Sequence, residues 1–152
     1  MQYHTGTTAA NRTTYGFTQY RNIEGWWDNV FDWLDGCYYN NNGLNVIKNP
    51  NQFSDSANGV LVGKPVAGYA KDFAIPTQSG LEWALYPSKS GGSTTTYVPD
   101  FWHFSGSSPC LYHGGGYNSQ NQGHGPFYIY CGSASYKVSN IGCRLQERPP
   151  KT

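Results

Sequence analysis

The sequence predicts an α+β domain that has one prominent helix, antiparallel strands and long ordered loops. Apolar residues recur at three- and four-residue spacings over residues 24–34, which is the period of an amphipathic helix. The middle of the chain, residues 50–93, alternates brief apolar pieces with Gly, Pro and Ser. Strand-like runs rich in β-branched and aromatic residues follow after residue 95.

The predicted helix, residues 24–34, has an apolar side and an acidic side. Its apolar side is formed by Trp26, Trp27, Val30, Phe31, Trp33 and Leu34. Asp28 and Asp32 lie on the opposite side. Gly36 is predicted to end the helix, because glycine readily adopts the positive φ of a helix C-terminus. An Asn-rich turn over residues 40–43 then precedes a strand-like run over residues 45–48.

Four strand-like runs are predicted after the loop-rich middle. They cover residues 95–104, 111–113, 127–131 and 139–145. In the third run, alternation along the strand places Phe127 and Ile129 towards the interior, and Tyr128 and Tyr130 towards solvent. A register shift of one residue would reverse this assignment.

One folded domain is expected, because 152 residues is the usual size of a single domain. Residues 1–23 are rich in Thr, Gly and Asn and lack a helical period, so they are predicted to form an N-terminal arm or linker. Residues 24–147 are the predicted domain, and residues 148–152 are a tail.

The composition argues against several kinds of partner. Charged residues make up 12% of the chain and the formal net charge is +1, so no nucleic-acid partner is expected. No apolar run approaches the ~20 residues that span a bilayer, and residues 1–10 lack the features of a signal peptide, so no membrane insertion is expected. Asn, Ser, Thr, Gly and Tyr supply the polar character, which is typical of extracellular binding surfaces.

The four cysteines stand at positions 37, 110, 131 and 143 and match no zinc-binding spacing such as C-x-x-C. Two interpretations remain open. The favoured one treats them mainly as free, small apolar side chains, because a chain of this length needs no covalent staple. The other is a structural disulfide, for which four thiols allow three pairings.

Three motifs stand in the order found in one protein family. Residues 27–36 are W-D-N-V-F-D-W-L-D-G, residues 113–118 are H-G-G-G-Y-N, and residues 139–145 are S-N-I-G-C-R-L. Together they resemble the C-type-lectin-like domain of diversity-generating-retroelement variable proteins, phage tropism determinants among them, and of formylglycine-generating enzymes. The resemblance implies a C-type-lectin-like fold, although Cys143 stands where that family usually has Phe.

The enzymes of that family place two copper-binding cysteines shortly after the Gly-rich turn. Residues 118–126 contain no cysteine, and the nearby Ser119 and His124 cannot replace a pair of thiolates. The calcium loops of sugar-binding lectins are also missing, because the W-D-N of residues 27–29 has the wrong order. No G-x-S-x-G nucleophile motif occurs. We therefore expect a protein that is not an enzyme and has no catalytic residue, cofactor or metal.

Residues 101–136 contain no Asp, Glu, Lys or Arg, and twenty of these 36 residues are Tyr, Ser, Gly or Asn. Antibody paratopes have this composition, because Tyr gives large contacts at low entropic cost while small polar residues adapt their hydrogen bonds. The alternative is a Gly-rich loop region that covers the core. In the variable proteins that the chain resembles, adenine mutation produces such residues in this stretch, so the resemblance favours a binding surface.

The resemblance implies a variable binding face on this late segment. The ligand-binding residues predicted for it are His103, Tyr112, His113, Tyr117, Ser119, Gln120, Gln122, His124, Tyr128, Tyr130 and Tyr136. The implied function is a variable receptor-binding domain that recognises a host-cell surface protein or glycan, on the virion at a phage tail tip or on a bacterial cell surface. Related phage determinants are trimeric, so a homotrimer is expected.

Two other functions remain as alternatives. One is a glycan-binding lectin of fixed specificity, with a sugar site built from Trp102, Tyr117 and Asn118. The other, ranked last, is a small enzyme domain of the formylglycine-generating type.

Overall fold

The structure, a computed structural model, describes residues 19–20, 23–24, 27, 30–96, 98–105, 109–116 and 127–142. This part of the chain is nearly all β, and none of its helices reaches seven residues. The predicted α+β class with a prominent helix is therefore wrong, and so is the C-type-lectin-like fold that belongs to that class. None of the helices in these ranges has the length and apolar character needed to cross a bilayer.

Eleven strands are defined within the described ranges, together with a short 3-10 turn at Pro50–Gln52. The strands are β1 (Gln19–Tyr20), β2 (Ile23–Glu24), β3 (Phe31–Asn40), β4 (Gly43–Val46), β5 (Val60–Gly63), β6 (Gly68–Ala74), β7 (Tyr86–Ser90), β8 (Phe101–His103), β9 (Cys110–His113), β10 (Ile129–Gly132) and β11 (Ile141–Gly142). The first two pair with each other in a separate two-stranded sheet.

The remaining strands form one large sheet. Its order is β5-β4-β3-β9-β10-β8-β6-β7, and β11 pairs in parallel with the start of β3. The two ends of this order come together: the N–H of Val66, just after β5, donates to the carbonyl of Pro87 in β7 at 2.9 Å. Gly63 in β5 has no side chain, which lets the ring of Tyr86 in β7 pack directly against it. The sheet is therefore nearly closed, like a barrel.

β3 includes the C-terminal part of the predicted helix. Phe31 and Trp33 pack into one cluster, and Leu34 packs into another. A helix would place Phe31 and Leu34, three residues apart, on the same side. The strand forms because β3 pairs with β4 on one edge and with β9 on the other, and aromatic residues fit such pleated surfaces well.

A bulge interrupts β3 at Gly36. Leu34 and Tyr38 pair with the adjacent β9 residues Leu111 and Cys110, so residues 35–37 have no place in that ladder. Gly36 has a φ of +80°, and a β-carbon there would lie 2.6 Å from the ring of Phe53. The positive φ predicted for this glycine is present, but it produces a bulge instead of a helix end.

The two faces of the large sheet bury different side chains. The inner cluster consists of Tyr39, Leu44, Val46, Val62, Leu81, Ala84, Trp102, Leu111, Ile129 and Cys131. The outer cluster consists of Phe31, Tyr112 and Tyr128, with Trp33, Phe101, Tyr130 and Ile141 packed against it. Cys110 and Cys131 are buried, and both are free thiols, as is the half-buried Cys37.

Substitutions of Phe127 and Tyr128, two adjacent residues just before β10, should differ sharply in their effect on stability. Tyr128 is 1% exposed and contacts Phe31 at a ring distance of 5.4 Å, whereas Phe127 is 62% exposed. We expect Tyr128→Ala to lower the free energy of unfolding by about 3–5 kcal/mol, because it leaves a large cavity. Phe127→Ala should cost less than about 1 kcal/mol. Urea denaturation of both variants measures the difference, and equal costs would contradict the assignment of faces.

Candidate functional site

Six of the eleven residues predicted to bind ligand lie in the described ranges. They are His103, Tyr112, His113, Tyr128, Tyr130 and Tyr136. The other five lie outside these ranges and are Tyr117, Ser119, Gln120, Gln122 and His124. The structure brings three of the six side by side; of the others, Tyr136 lies next to them, Tyr128 is buried in the same cluster, and His113 projects to the opposite face.

Four aromatic side chains form a continuous row across four neighbouring strands, and we call this set the aromatic row. The strand registers pair Trp33 of β3 with Tyr112 of β9, Tyr112 with Tyr130 of β10, and Tyr130 with His103 of β8. Because directly paired residues project from the same face, all four rings lie on the outer face.

The rings of the aromatic row contact one another closely. His103 stacks on Tyr130 with a centroid distance of 4.1 Å and an interplanar angle of 12°. Tyr130 stacks on Tyr112 at 5.4 Å, and Trp33 meets Tyr112 edge-on at 5.3 Å. Such contacts hold each ring in place through its neighbours, so the row is a rigid surface before any ligand arrives.

Exposure varies along the aromatic row. Tyr112 is buried at 5% exposure, whereas Trp33, Tyr130 and His103 are half-buried. Tyr136, in the turn after β10, is 52% exposed. A β-carbon at Gly132 would lie 2.7 Å from the ring of Tyr112 and 3.0 Å from that of Tyr136, so this glycine lets both rings pack over the strand. Tyr136 thus extends the aromatic surface into solvent.

The aromatic row is uncharged at neutral pH. Burial lowers the pKa of His103 below its ordinary value, which favours the neutral imidazole. Burial raises the pKa of Tyr112 and of Tyr130, so both phenols keep their protons. The Nδ1 atom of His103 is buried and has no hydrogen-bond partner within the described part of the chain. The surface can therefore stack against a ligand and exchange hydrogen bonds, without ion pairing.

The expected exposure of two predicted site residues is wrong. Tyr128 and Tyr112 are core residues of the outer cluster, because the outer face packs against its own aromatic neighbours instead of facing water. The predicted alternation is present at Ile129, which packs in the inner cluster, and at Tyr130, which lies on the outer face; Phe127, predicted to point to the interior, is instead 62% exposed at the opening of the cavity. Whether Tyr112 or Tyr128 touches a ligand stays a prediction.

Two further residues lie on the other face from the aromatic row. His113 follows Tyr112 in β9 and so projects to the opposite side. Trp102, which belongs to the alternative sugar site, packs in the inner cluster at 6% exposure. Its predicted companions Tyr117 and Asn118 lie outside the described ranges. Trp102 therefore cannot share a ligand with the aromatic row.

Asp100 is a buried carboxylate beside the site that was not predicted from the sequence. Asp100 is 3% exposed, and its Oδ2 accepts the backbone N–H of Phe127 at 3.2 Å, while its Oδ1 has no partner in the described ranges. Burial raises the pKa of Asp100 to about 6, which the N–H of Phe127 partly offsets. The signal in the sequence was its position as the last charged residue before the uncharged segment.

A cavity of about 460 Å³ on the inner face was also missed. Its walls are Leu34, Asp35, Gly36, Cys37, Leu44, Val46, Phe73, Trp83, Ala84, Leu85, Val98, Trp102, Leu111, Phe127 and Ile129. These residues come from six strands and three loops, so no local pattern in the sequence could have assembled them. The cavity and the aromatic row lie on opposite faces of the same sheet.

The thiols near this cavity are poor nucleophiles. Burial, with smaller contributions from Asp35 and Cys110, raises the pKa of Cys37 to about 12. Burial and then Asp55 raise the pKa of Cys110 to about 11. Both thiols therefore stay protonated at neutral pH, whereas nucleophilic attack needs the thiolate. In the ranges that the structure describes, no three His, Cys, Asp or Glu side chains come together as a metal site.

The buried Asp100 should make the fold less stable as the pH rises. Its pKa is about 6 in the folded state, against an ordinary value of 3.8, so the folded state binds the proton more tightly. The free energy of unfolding should therefore fall between about pH 4 and pH 6, by at most about 3 kcal/mol. Asp100→Asn should abolish this decrease and stabilise the protein at pH 7.

Denaturant titrations at a series of pH values measure the effect of Asp100. The control is Asp72→Asn, because Asp72 is an exposed carboxylate that faces Lys89 at 3.4 Å. That variant should keep the parent's profile between pH 4 and pH 6. If Asp100→Asn also keeps it, the side chain of Asp100 is hydrated and the assigned burial is incorrect.

No protein-family model matches this chain, and neither a curated protein nor a solved structure matches it. The resemblance of its three motifs to variable proteins therefore stays an expectation drawn from sequence. The aromatic row and the inner cavity are the features from which a function can be inferred.

Proposed function

We propose that this chain is a non-catalytic receptor-binding module whose outer face recognises a host-cell surface protein or glycan. The observation that supports this proposal is the aromatic row, in which His103 and Tyr130 stack at 4.1 Å and Tyr112 continues the stack at 5.4 Å. The site of action is a phage tail tip or a bacterial cell surface. Variation of residues in the late segment would change the choice of receptor.

Rigidity is the physical advantage of this face for recognition. A ring that is already held by its neighbours loses little conformational entropy when a partner covers it. Tyr and His also present polar atoms at the edge of an apolar ring, so one residue supplies both contact area and a hydrogen bond. Residues 101–136 add no formal charge, which makes shape and hydrogen-bond pattern the basis of selectivity.

A homotrimer would increase the strength of this recognition. Three copies at one tip would present three outer faces to the same cell surface. Once the first face is bound, the others bind at a high effective concentration, so modest single-site affinity suffices. The motif resemblance is the reason for choosing three copies.

A glycan-binding lectin of fixed specificity is the second candidate. Its support is the nearly parallel stack of His103 and Tyr130, at an angle of 12°, because flat aromatic surfaces pack well against the apolar face of a sugar ring. The sugar would lie against Tyr130 and Tyr136, and Trp102 has no part in it. Arrays of glycans and of surface proteins distinguish the two candidates directly.

Substitutions on the outer face should weaken receptor binding without unfolding the domain. Tyr136→Ala removes an exposed ring, and Tyr130→Leu removes the stack while retaining apolar bulk. We expect each to reduce binding to the target by about tenfold or more, because aromatic anchors carry most of the binding energy. Binding is measured on surface-protein and glycan arrays and on whole target cells, with circular dichroism melts alongside.

Ile75→Ala is the matched control for these variants. Ile75 is 65% exposed and lies in neither the aromatic row nor the cavity wall. It should bind the target as the parent does. A Tyr130→Leu/Tyr136→Ala double variant that folds and binds with the parent's affinity would refute the proposed function.

A further inference from the structure

The inner cavity is separate from the face that recognises the receptor. One wall is the bulge of β3, where residues 35–37 leave the ladder, and it continues with Leu111 of the neighbouring β9 and Ile129 of β10. Its volume of about 460 Å³ lies in the range of sites that enclose small organic molecules. A barrel-like sheet of this size can hold one small ligand among its interior side chains.

Trp102, one of the wall residues of this cavity, carries a buried hydrogen-bond donor. Trp102 is 6% exposed, and its indole Nε1 has no hydrogen-bond partner among the residues that the structure describes. Its ring packs against Phe104 at 5.8 Å and against Phe73 at 6.3 Å, so its position is fixed. A buried N–H without a partner costs free energy, which an acceptor atom on a bound molecule would recover.

The charges around the cavity restrict what it can hold. Among the wall residues that the structure describes, Asp35 alone carries a formal charge, and none is Lys, Arg or His. The Cys37 thiol stays neutral, because burial raises its pKa to about 12. An anion would therefore meet a carboxylate and no compensating cation, so fatty acids and other carboxylates are disfavoured.

Exposed apolar side chains lie at the opening of the cavity. Trp83 is 70% exposed, Phe127 is 62% exposed and Leu85 is 48% exposed, although all three also line the wall. The indole N–H of Trp83 donates to the carbonyl of Gly80 at 3.1 Å, which fixes one side of the opening. These three side chains would cover the part of a ligand that extends beyond the sheet.

We propose that this cavity binds an uncharged, largely apolar small molecule that carries one hydrogen-bond acceptor, and that the acceptor contacts the indole N–H of Trp102. The cavity volume limits the size of the ligand, the indole N–H without a partner in the described ranges sets its one polar group, and the exposed carboxylate of Asp35 disfavours anions. The site is independent of the aromatic row, since the two lie on opposite faces of the sheet.

A matched pair of dyes tests the charge and the location. N-phenyl-1-naphthylamine is uncharged, and its 8-sulfonate differs only by one anionic group. The uncharged dye should bind one per chain with a rise in fluorescence, and the sulfonate should bind at least about tenfold more weakly. Equal affinities for the two dyes would overturn the proposal.

Filling the cavity should remove dye binding. Ala84 is 9% exposed and lines the wall, so Ala84→Trp places a ring where the dye would lie. If circular dichroism shows that this variant does not fold, Val98→Trp fills the same space from a half-buried position. Ile75→Ala, outside the wall, and Tyr136→Ala, on the outer face, should bind the dye as the parent does. A folded cavity-filling variant that retains the parent's affinity would disprove the location.

The role of Trp102 is tested by a cycle of two ligands and two proteins. 2-Acetylnaphthalene has a carbonyl acceptor, and 2-ethylnaphthalene has a methylene in its place; both are measured by displacement of the uncharged dye. The affinity ratio of ketone to hydrocarbon should fall about fivefold in Trp102→Phe, which lacks the N–H. An unchanged ratio in a folded Trp102→Phe protein would show that the indole is not the donor. The two proposals can fail separately. A negative result in these ligand-binding tests does not affect the proposal of receptor binding, and loss of receptor binding in Tyr136→Ala does not affect the proposal of ligand binding in the cavity.

Discussion

The pairing of β3 with β9 is the contact on which the rest of the structure depends. β3 carries β4 and β5 on one side, and β9 carries β10, β8, β6 and β7 on the other, so this single ladder joins the two halves of the large sheet. The ladder has two parts, Asp32 to Leu34 and then Tyr38, separated by the bulge at Gly36. The first part aligns Trp33 with Tyr112, which begins the aromatic row. The bulge then forms a wall of the inner cavity, so both candidate sites originate in one strand pair.

Alternation along the strands next to this pair gives the two faces different chemistry. In β8, Trp102 points inward between Phe101 and His103, and in β10 Ile129 and Cys131 flank the outward-facing Tyr130. The outer face therefore collects rings with polar edges, and the inner face collects aliphatic groups and one indole. A hydroxyl or imidazole at the rim of the sheet can reach solvent, whereas the inner face offers few hydrogen-bond partners. The proposed receptor recognition on the outer face and the proposed binding of an apolar molecule on the inner face both depend on this separation.

Local sequence pattern predicts some strands correctly. It is insufficient where pairing between residues far apart in the sequence decides the secondary structure. The strand at 111–113 and the opposite faces of Ile129 and Tyr130 were predictable, because aromatic and β-branched residues alternate in these runs. The predicted helix failed because Phe31, Trp33 and Leu34 satisfy a three- to four-residue period and a two-residue period at once. Only the pairing with β4 and β9 distinguishes these possibilities, and it involves residues up to about 80 positions away. Three of the four members of the aromatic row were predicted as site residues from the motif resemblance, but the burial of Tyr128 was not predicted, because sequence motifs do not show what covers a face.

Asp100 is a buried carboxylate at the edge of the outer face, and it affects both stability and the local backbone. The carboxylate destabilises the folded state when ionised, and a neutral residue there would avoid that cost. The side chain also orients the backbone: its Oδ2 accepts the N–H of Phe127, which lies two residues before the start of β10. With that N–H fixed, Tyr128 enters the outer cluster and Ile129 enters the inner one, as the alternation requires. A shift of one residue at this point would place Tyr128 in the cavity and Ile129 on the outer face, which would disrupt both sites together. The acceptor oxygen of Asp100 therefore supports this register, a role that does not require the negative charge.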